Sequence, residues 1–335
     1  MAEARRPTIL DVARTAGVST ATVSRVINGA STVDRALCAR VTAAIRQTGY
    51  VPNAVGRSLR RGGTGMLAVV VPDAENPYFH QIISEVERIA RAEKHTVTVA
   101  HTENDLDLER KCFKQLVSRQ VAGVVLIPLD AKRTDLSPLT NAQVPLVLVD
   151  RWVDGAATDL VMTDNVDAGR QAAEHLAENG FERPIVIAGP ADLATTEDRA
   201  RGFRDEWGRR GIELEPDRIL RGDLHLASAR DLVAELLEEG RADCVYATNN
   251  RMSAGAFEAM RGRPDAPALL GTDDDLWTRL VTPSISVVKQ PVKSTGRIAA
   301  RLLGQRMHSP GEEPSTTLLR PRLVTRESTL PRLRE

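Results

Sequence analysis

Residues 8–28, TILDVARTAGVSTATVSRVIN, predict two short helices joined by a tight turn. Thr8 followed three residues later by Asp11 matches a helix-starting capping pattern. One apolar helical face is formed by Ile9, Val12, Ala13 and Ala16. Gly17 can take the left-handed conformation that ends a helix, and Ser19 suits the N-cap of the next one. The same arrangement of helix, glycine turn and helix occurs in DNA-binding helix-turn-helix units and in ordinary helical hairpins.

The outer face of the second helix favours DNA binding over a plain hairpin. Its residues are small or hydrogen-bonding, and none is acidic: Thr20, Ala21, Thr22, Ser24, Arg25 and Asn28. The inner face is predicted to be Val23, Val26 and Ile27. Such an outer surface suits contact with a polyanion.

Charge is distributed unevenly along this chain of 335 residues, whose formal net charge is zero. Residues 1–62 hold ten arginines and no lysine against three acidic residues, a formal charge of +7, so the remainder carries −7. A basic head on an acidic body is typical of a small nucleic-acid-binding module joined to a separate domain.

Continued through YVPN (residues 50–53), the opening stretch resembles the DNA-binding head of the lac repressor / galactose repressor family, and the similarity runs on to the C-terminus. In such a head Arg25 would bond a guanine, and Thr20 and Ala21 would contact base edges. Phosphate contacts are expected from Thr8, Ser19, Thr22 and Asn28. The full set of predicted DNA-binding residues is Thr8, Ser19, Thr20, Ala21, Thr22, Ser24, Arg25, Asn28, Asn53, Val55 and Leu59.

A third helix is predicted from Asp34, its N-cap, to a stop at Gly49. Its inward residues are expected to be Leu37, Val41, Ala44 and Ile45. In the family, the segment corresponding to residues 51–63 is a hinge helix that folds on the operator, where Leu59 would wedge into a base step. Gly56 stands where relatives usually have alanine, which costs up to ~1 kcal/mol of helix propensity and predicts a hinge more disordered off DNA.

From residue 66 onward, short β-branched runs alternate with helical stretches, which indicates a doubly wound α/β body. Buried parallel strands are predicted at 66–71, 97–100, 123–127, 145–149, 184–188, 243–247 and 268–272. Helices are predicted at 78–93, 107–119, 168–179, 199–210, 228–239 and 291–304. The body resembles the type I periplasmic sugar-binding fold, with two lobes.

The predicted organisation follows from this alternation and from the resemblance. It comprises an all-α helix-turn-helix domain (1–50), a hinge helix and linker (51–63), and a two-lobed body for effector binding and dimerisation (64–335). The N-terminal lobe is predicted to hold 64–163 and 291–322, and the C-terminal lobe 164–290 and 323–335.

Ligands of such sheets bind outside the carboxyl ends of the strands. There the chain carries planar hydrogen-bonding groups and two adjacent aromatic residues, a combination that suits the vicinal hydroxyls and C–H faces of a sugar. By resemblance to ribose-binding relatives and by position, the effector-binding residues are predicted to be Asn76, Tyr78, Phe79, Asp150, Arg151, Thr195, Arg199, Leu224, Asn249, Asp273 and Gln290. Leu224 stands where sugar-binding relatives often have Phe or Trp, and Asn250 replaces a common aspartate.

We therefore expect a regulator, most simply a repressor, controlled by a monosaccharide, with a purine, nucleoside or sugar phosphate as the alternative effector. It would act as a homodimer or tetramer on a pseudo-palindromic operator in the cytoplasm. A solute receptor is disfavoured because the N-terminus lacks an apolar export signal. Cys38, Cys112 and Cys244 have no zinc-site spacing and are expected to be buried. No catalytic, cofactor or metal motif is apparent, so no enzymatic activity is expected.

Overall fold

The computed structural model describes residues 7–27, 33–50 and 65–331. By backbone contacts the chain divides into two units, Met1–Thr64 and Gly65–Glu335. The predicted hinge, residues 51–63, lies outside the described residues. So do the positions of four predicted DNA contacts, Asn28, Asn53, Val55 and Leu59.

The first unit contains three helices packed on a small apolar core. They are α1 (Ile9–Ala16), α2 (Thr20–Ile27) and α3 (Arg35–Thr48). The core consists of Val12, Ala13, Ala16, Val23, Val41 and Ala44, with Ile9, Val26, Ile27 and Ile45 partly buried against it. The predicted inward position of Leu37 is wrong: this residue is half-buried and lies outside the core cluster, because it is only two positions into α3.

The helix ends follow the local chemistry of the sequence. The Asp11 carboxylate accepts hydrogen bonds from the Thr8 backbone N–H at 2.8 Å and from the Thr8 hydroxyl at 2.7 Å. Gly17 closes α1 with φ of 62°. The Ser19 hydroxyl accepts from the Thr22 backbone N–H at 3.2 Å, and so caps α2. These bonds fix the angle at which α2 leaves the turn.

The second unit is built on two six-stranded sheets. The first sheet has the order β11-β5-β4-β3-β1-β2 and is parallel throughout. Its strands are β1 (Met66–Val71), β2 (Thr96–His101), β3 (Gly123–Leu126), β4 (Leu146–Val149), β5 (Asp159–Thr163) and β11 (Thr316–Leu319). Its helices are α4 (Pro77–Ala92), α5 (Leu106–Ser118), α6 (Ser137–Asn141) and α12 (Val292–His308).

The second sheet has the order β12-β10-β9-β8-β6-β7, in which only β12 runs antiparallel to its neighbour. Its strands are β6 (Pro184–Ala188), β7 (Ile219–Arg221), β8 (Cys244–Ala247), β9 (Ala268–Thr272), β10 (Ser286–Lys289) and β12 (Arg322–Val324). Its helices are α7 (Asn165–Glu178), α8 (Ala194–Arg209), α9 (Leu226–Glu239), α10 (Asn250–Met260) and α11 (Trp277–Leu280).

The chain passes between the sheets after β5, after β10 and after β11. Each sheet has an apolar core on both faces, as the β-branched runs predict. We call the first sheet with its helices the N-terminal lobe and the second the C-terminal lobe. This fold class, a helix-turn-helix head followed by a two-lobed α/β body, is the one predicted from the sequence.

Several predicted elements need correction. β2 is not a buried strand, because it lies at a sheet edge and consists only of exposed and half-buried residues. The sequence prediction omitted β5, β7, β10, β11 and β12, as well as the helices α6, α10 and α11. Most of the missed strands have three or four residues, too few to show a period. Of the three cysteines predicted to be buried, Cys244 is buried, whereas Cys38 and Cys112 are only partly covered.

Candidate functional site

The outer surface of α2 presents the predicted DNA-reading side chains to solvent. Thr20, Ala21 and Arg25 are exposed, and Thr22 and Ser24 are half-buried. Val23, on the opposite face, is fully buried in the helical core. The structure therefore separates the two faces of α2 as the sequence spacing predicts.

A second candidate site lies between the two lobes, at the carboxyl ends of both sets of strands. All eleven predicted effector-binding residues line one cavity of about 60 Å³, several times the ~10–15 Å³ that one water requires. They come from the ends of β1, β4, β8, β9 and β10, from the segment after β7, and from α8. We call this space the inner cavity. Doubly wound sheets place their ligands at this edge.

Arg199 is the centre of the hydrogen-bond network in the inner cavity. It projects from α8 and is 4% exposed. Its Nε donates to Asn165 Oδ1 at 2.8 Å, Nη1 to the Thr248 carbonyl at 2.7 Å and Nη2 to Gln290 Oε1 at 2.9 Å. Gln290 in turn donates to both carboxylate oxygens of Asp273, at 3.0 and 3.1 Å. One guanidinium thus fixes the orientation of several cavity walls.

Burial shifts the pKa of Asp273. Loss of water around its carboxyl raises the pKa to about 7, an effect only partly opposed by the positive charge of Arg199. Asp274 and Asp275, its neighbours in sequence, bond elsewhere: Asp274 to Lys289 and Arg326, and Asp275 to Asn250. Among the described residues no His, Cys, Asp or Glu group could hold a metal ion.

The wall from the N-terminal lobe combines aromatic rings with an ion pair. The Tyr78 hydroxyl donates to Asp150 Oδ1 at 3.0 Å, and burial raises the tyrosine pKa well above its usual value. Phe79 packs edge-on to Tyr78, and both rings belong to the lobe's core as well as to the cavity. Arg151 Nε lies 3.7 Å from Asp150 Oδ2. Burial lowers the pKa of Arg151.

Three cavity residues adopt the left-handed backbone conformation. Asp150 has φ of 67°, Leu224 of 72° and Asp273 of 68°. A branched side chain such as leucine rarely adopts this conformation, and it is found mainly where surrounding structure imposes it. Gly189 leaves room for Leu224, since a Cβ at Gly189 would lie 2.6 Å from Leu224 Cδ2. The chain therefore bends sharply at three strand ends to aim these side chains.

Several cavity residues were missed from the sequence. Besides the predicted set, the lining includes Asn104, Thr196, Asp223, His225, Asn250 and Arg251. Asn165 does not line the cavity itself, but its side-chain oxygen accepts a hydrogen bond from Arg199. Apart from Asn250, which follows the predicted Asn249 at a strand end, nothing in their local sequence distinguishes them from ordinary loop and helix-cap residues. Asn76 and Asn249 do act as helix N-caps, accepting backbone N–H bonds at the starts of α4 and α10, while also facing the cavity.

Two of the missed residues bridge the lobes directly. Asn250 donates to Asn76 Oδ1 at 2.9 Å, and Arg251 Nη1 donates to Asp73 Oδ2 at 2.6 Å. Arg251 and Asp73 are each about one quarter exposed. The Asn250 side chain thus supplies an amide donor across the cleft. These contacts hold α10 against the loop after β1.

Comparison with known proteins identifies the family. Residues 8–53 match the model described as bacterial regulatory proteins, lacI family. Residues 64–307 match the model of periplasmic binding proteins and the sugar binding domain of the LacI family. The chain belongs to the lacI family of bacterial regulatory proteins.

Individual relatives in the lacI family are similar over nearly their full length. The HTH-type transcriptional repressor PurR of Aliivibrio fischeri strain MJ11 is 30% identical, over 98% of this chain and 99% of that protein. The ribose operon repressor of Halalkalibacterium halodurans is 31% identical, over 96% and 97%. No helix in the described part of this lacI-family chain is long and apolar enough to cross a membrane.

Solved structures agree with this assignment. A complex of the transcriptional regulator CelR with cellobiose is 31% identical, with a TM-score of 0.72, over 96% of this chain and 100% of that one. The lac repressor dimer bound to operator and the anti-inducer ONPF is 25% identical, with a TM-score of 0.85, over 97% and 100%.

Proposed function

We propose that the protein is a transcriptional repressor whose operator affinity is controlled by a neutral sugar bound between its lobes. One observation carries the proposal. The same chain presents an exposed polar helix face of the DNA-reading type and holds a polar cavity lined by all eleven predicted effector residues. The relatives named above are repressors of transcription or of an operon, which supports the same reading.

In this proposal residues 1–50 bind DNA, residues 51–63 form the hinge and residues 64–335 bind effector and dimerise. Arg25 would bond a guanine bidentately, a contact worth ~1–3 kcal/mol of base discrimination. Thr20 and Ala21 would contact base edges, and Ser24 would lie beside them. Thr8, Ser19, Thr22 and Asn28 would contact phosphates, and the hydroxyls of Thr8 and Ser19 stand at the starts of α1 and α2.

The charge balance of the inner cavity supports an uncharged effector. Asp150 lies beside Arg151, Asp273 is linked to Arg199 through Gln290, and Asp73 is paired with Arg251. Each of these three carboxylates thus has one guanidinium, and Asp223 adds a fourth carboxylate to the lining. Within the described part of the chain, no arginine of the lining is left over for a phosphate. Planar carboxylate, guanidinium and amide groups can each satisfy two vicinal hydroxyls of a sugar. This set of donors and acceptors therefore fits a sugar better than a sugar phosphate.

Control of DNA binding would operate through closure of the lobes in a cytoplasmic homodimer. A ligand that contacts both lobes favours the closed arrangement, and an inducer must prefer the form that binds DNA less well. Coupling between two such sites is typically ~1–3 kcal/mol.

Selection of bound DNA from a random pool, with and without a panel of sugars, tests this function. A near-palindromic consensus whose recovery changes with one sugar is the expected result. Recovery of no consensus would contradict the repressor assignment. A consensus that responds only to a purine, nucleoside or sugar phosphate would leave the repressor in place and overturn the effector class.

A further inference from the structure

The cleft between the lobes continues outward from the inner cavity into a second space of about 250 Å³. We call this space the outer chamber. Six residues line both spaces, among them Arg151, Leu193 and Leu224. The outer chamber, like the inner cavity, takes walls from both lobes. A ligand seated in the inner cavity can therefore extend outward without leaving the protein.

Resting on the function proposed above, we propose that the effector is longer than one sugar ring: an uncharged disaccharide whose first ring fills the inner cavity and whose second ring occupies the outer chamber.

The walls of the outer chamber suit a second sugar ring. Leu129, Pro190, Leu193 and Leu224 provide apolar surfaces for the C–H face of a ring. Asn104 and Asp223 provide hydrogen-bonding groups for its hydroxyls. A purely apolar group would make no use of these polar side chains, whereas a sugar presents both kinds of surface.

Arg151 is placed to contact both rings. It lines both spaces, and its Nη1 donates to the carbonyl oxygens of Pro128 and Leu129 at 3.2 and 3.4 Å. Its Nε is buried and has no hydrogen-bond partner among the described residues. A buried donor left without a partner is costly, and a hydroxyl or the glycosidic oxygen at the junction would satisfy it.

The charge of the outer chamber indicates that the second ring is uncharged. Asp130, Asp192 and Asp223 line it. Arg133 bonds Asp130 at 2.7 Å and lies 4.0 Å from Asp192, while the charge of Arg151 is offset by Asp150. With Asp150 counted against Arg151, these side chains carry a net negative charge. A phosphate on the second ring would meet like charge and be rejected.

Titration calorimetry on the full-length protein at pH 7 tests this inference. The ligands are free glucose, galactose and ribose, disaccharides that contain these rings, phenyl glycosides of the same sugars, and a phosphorylated disaccharide. We expect one disaccharide to bind at least ~10-fold more tightly than its free monosaccharide. The phosphorylated form should lose that gain.

The blocking variant is Asp192→Trp. Asp192 is 73% exposed and lines only the outer chamber, so an indole there should fill the space without disturbing the fold. It should remove the disaccharide's gain and leave monosaccharide binding unchanged. Asp265→Trp is the matched control: Asp265 is 68% exposed and precedes β9, at the end of that strand remote from the cleft.

The possible failures are distinct. A monosaccharide that binds as tightly as all its disaccharides, with Asp192→Trp silent, overturns the second ring but leaves the sugar-controlled repressor intact. A phenyl glycoside that binds more tightly than any disaccharide shows that the outer chamber takes an apolar group instead. A phosphorylated disaccharide that binds most tightly overturns the charge argument. No binding of any sugar removes the effector class itself.

Discussion

At the scale of single residues, we propose Arg25 as the side chain on which base recognition depends. It is exposed on α2, whose opposite face is anchored by the buried Val23. Arg25→Ala should relax discrimination at one base of each half-site by ~1–3 kcal/mol, measured by competition among operators mutated one base at a time. Arg46→Ala, an exposed arginine on α3, is the control. Equal losses on every sequence for Arg25→Ala would instead identify a phosphate contact.

The raised pKa of Asp273 predicts that the free energy of unfolding depends on pH. Its pKa is about 7 in the folded protein and ~3.9 in an unfolded chain, so between these values the folded state binds more protons. The contribution of Asp273 to stability should therefore fall as the pH rises from about 4 to about 7. Urea unfolding at pH 5 and pH 8 should show a smaller pH-dependent loss in Asp273→Asn than in the wild type. Identical losses in both proteins would contradict the raised pKa.

At the scale of elements, the crossing of α7 and α8 depends on two glycines. A Cβ at Gly169 would lie 1.9 Å from the Arg199 carbonyl oxygen, and one at Gly202 would lie 2.0 Å from the Val166 carbonyl oxygen. In both cases the obstacle is backbone, which cannot rotate away. The two helices therefore touch backbone to backbone, and this contact sets the position from which Arg199 reaches the cavity.

Gly169→Ala should destabilise the protein by at least ~2 kcal/mol, because α7 and α8 must move apart. It should also weaken sugar binding through displacement of Arg199. Gly208→Ala, on the same helix as Gly202 but with no atom within 4 Å of its new Cβ, is the matched control. That change should be neutral or stabilise by up to ~1 kcal/mol in urea unfolding. Equal effects of the two substitutions would rule out the close crossing.

The contacts between α10 and the loop after β1 are expected to stabilise the closed arrangement of the two lobes. Arg251→Ala removes the ion pair with Asp73, which is partly exposed and worth ~1 kcal/mol at most. If the closed form binds the sugar, its affinity should fall by up to about fivefold in calorimetry. Arg230→Ala, which removes an ion pair within the C-terminal lobe, should have no effect. An increase in affinity on Arg251→Ala would mean that the contact opposes binding.

Elements with a strong local period could be predicted from the sequence, and those fixed by distant contacts could not. α4 was predicted at 78–93 and is found at Pro77–Ala92, because one apolar stripe marks it throughout. α8 begins five residues earlier than predicted, at Ala194, because its first turn is polar. In the site, strand-end position together with the resemblance to ribose-binding relatives predicted eleven residues that line the cavity. Asn165 and Arg251 escaped, since their roles depend on partners 34 and 178 residues away.

At the scale of the whole molecule, two units with different charge meet the two requirements of a regulator. The basic head suits a polyanion, and the described lining of the cavity in the acidic body holds three arginines against four aspartates. The family's match spans both, over residues 8–53 and 64–307. A sugar can act on DNA binding only if it binds the two arrangements of the lobes with different affinity.

The most direct test of this account is gel retardation of selected operator fragments by the full-length protein, at low and moderate ionic strength, with and without sugar. We expect retardation of a near-palindromic site, with an affinity that the effector changes about 5- to 150-fold. Failure to retard any fragment at low ionic strength, in every ligand state, would contradict the account.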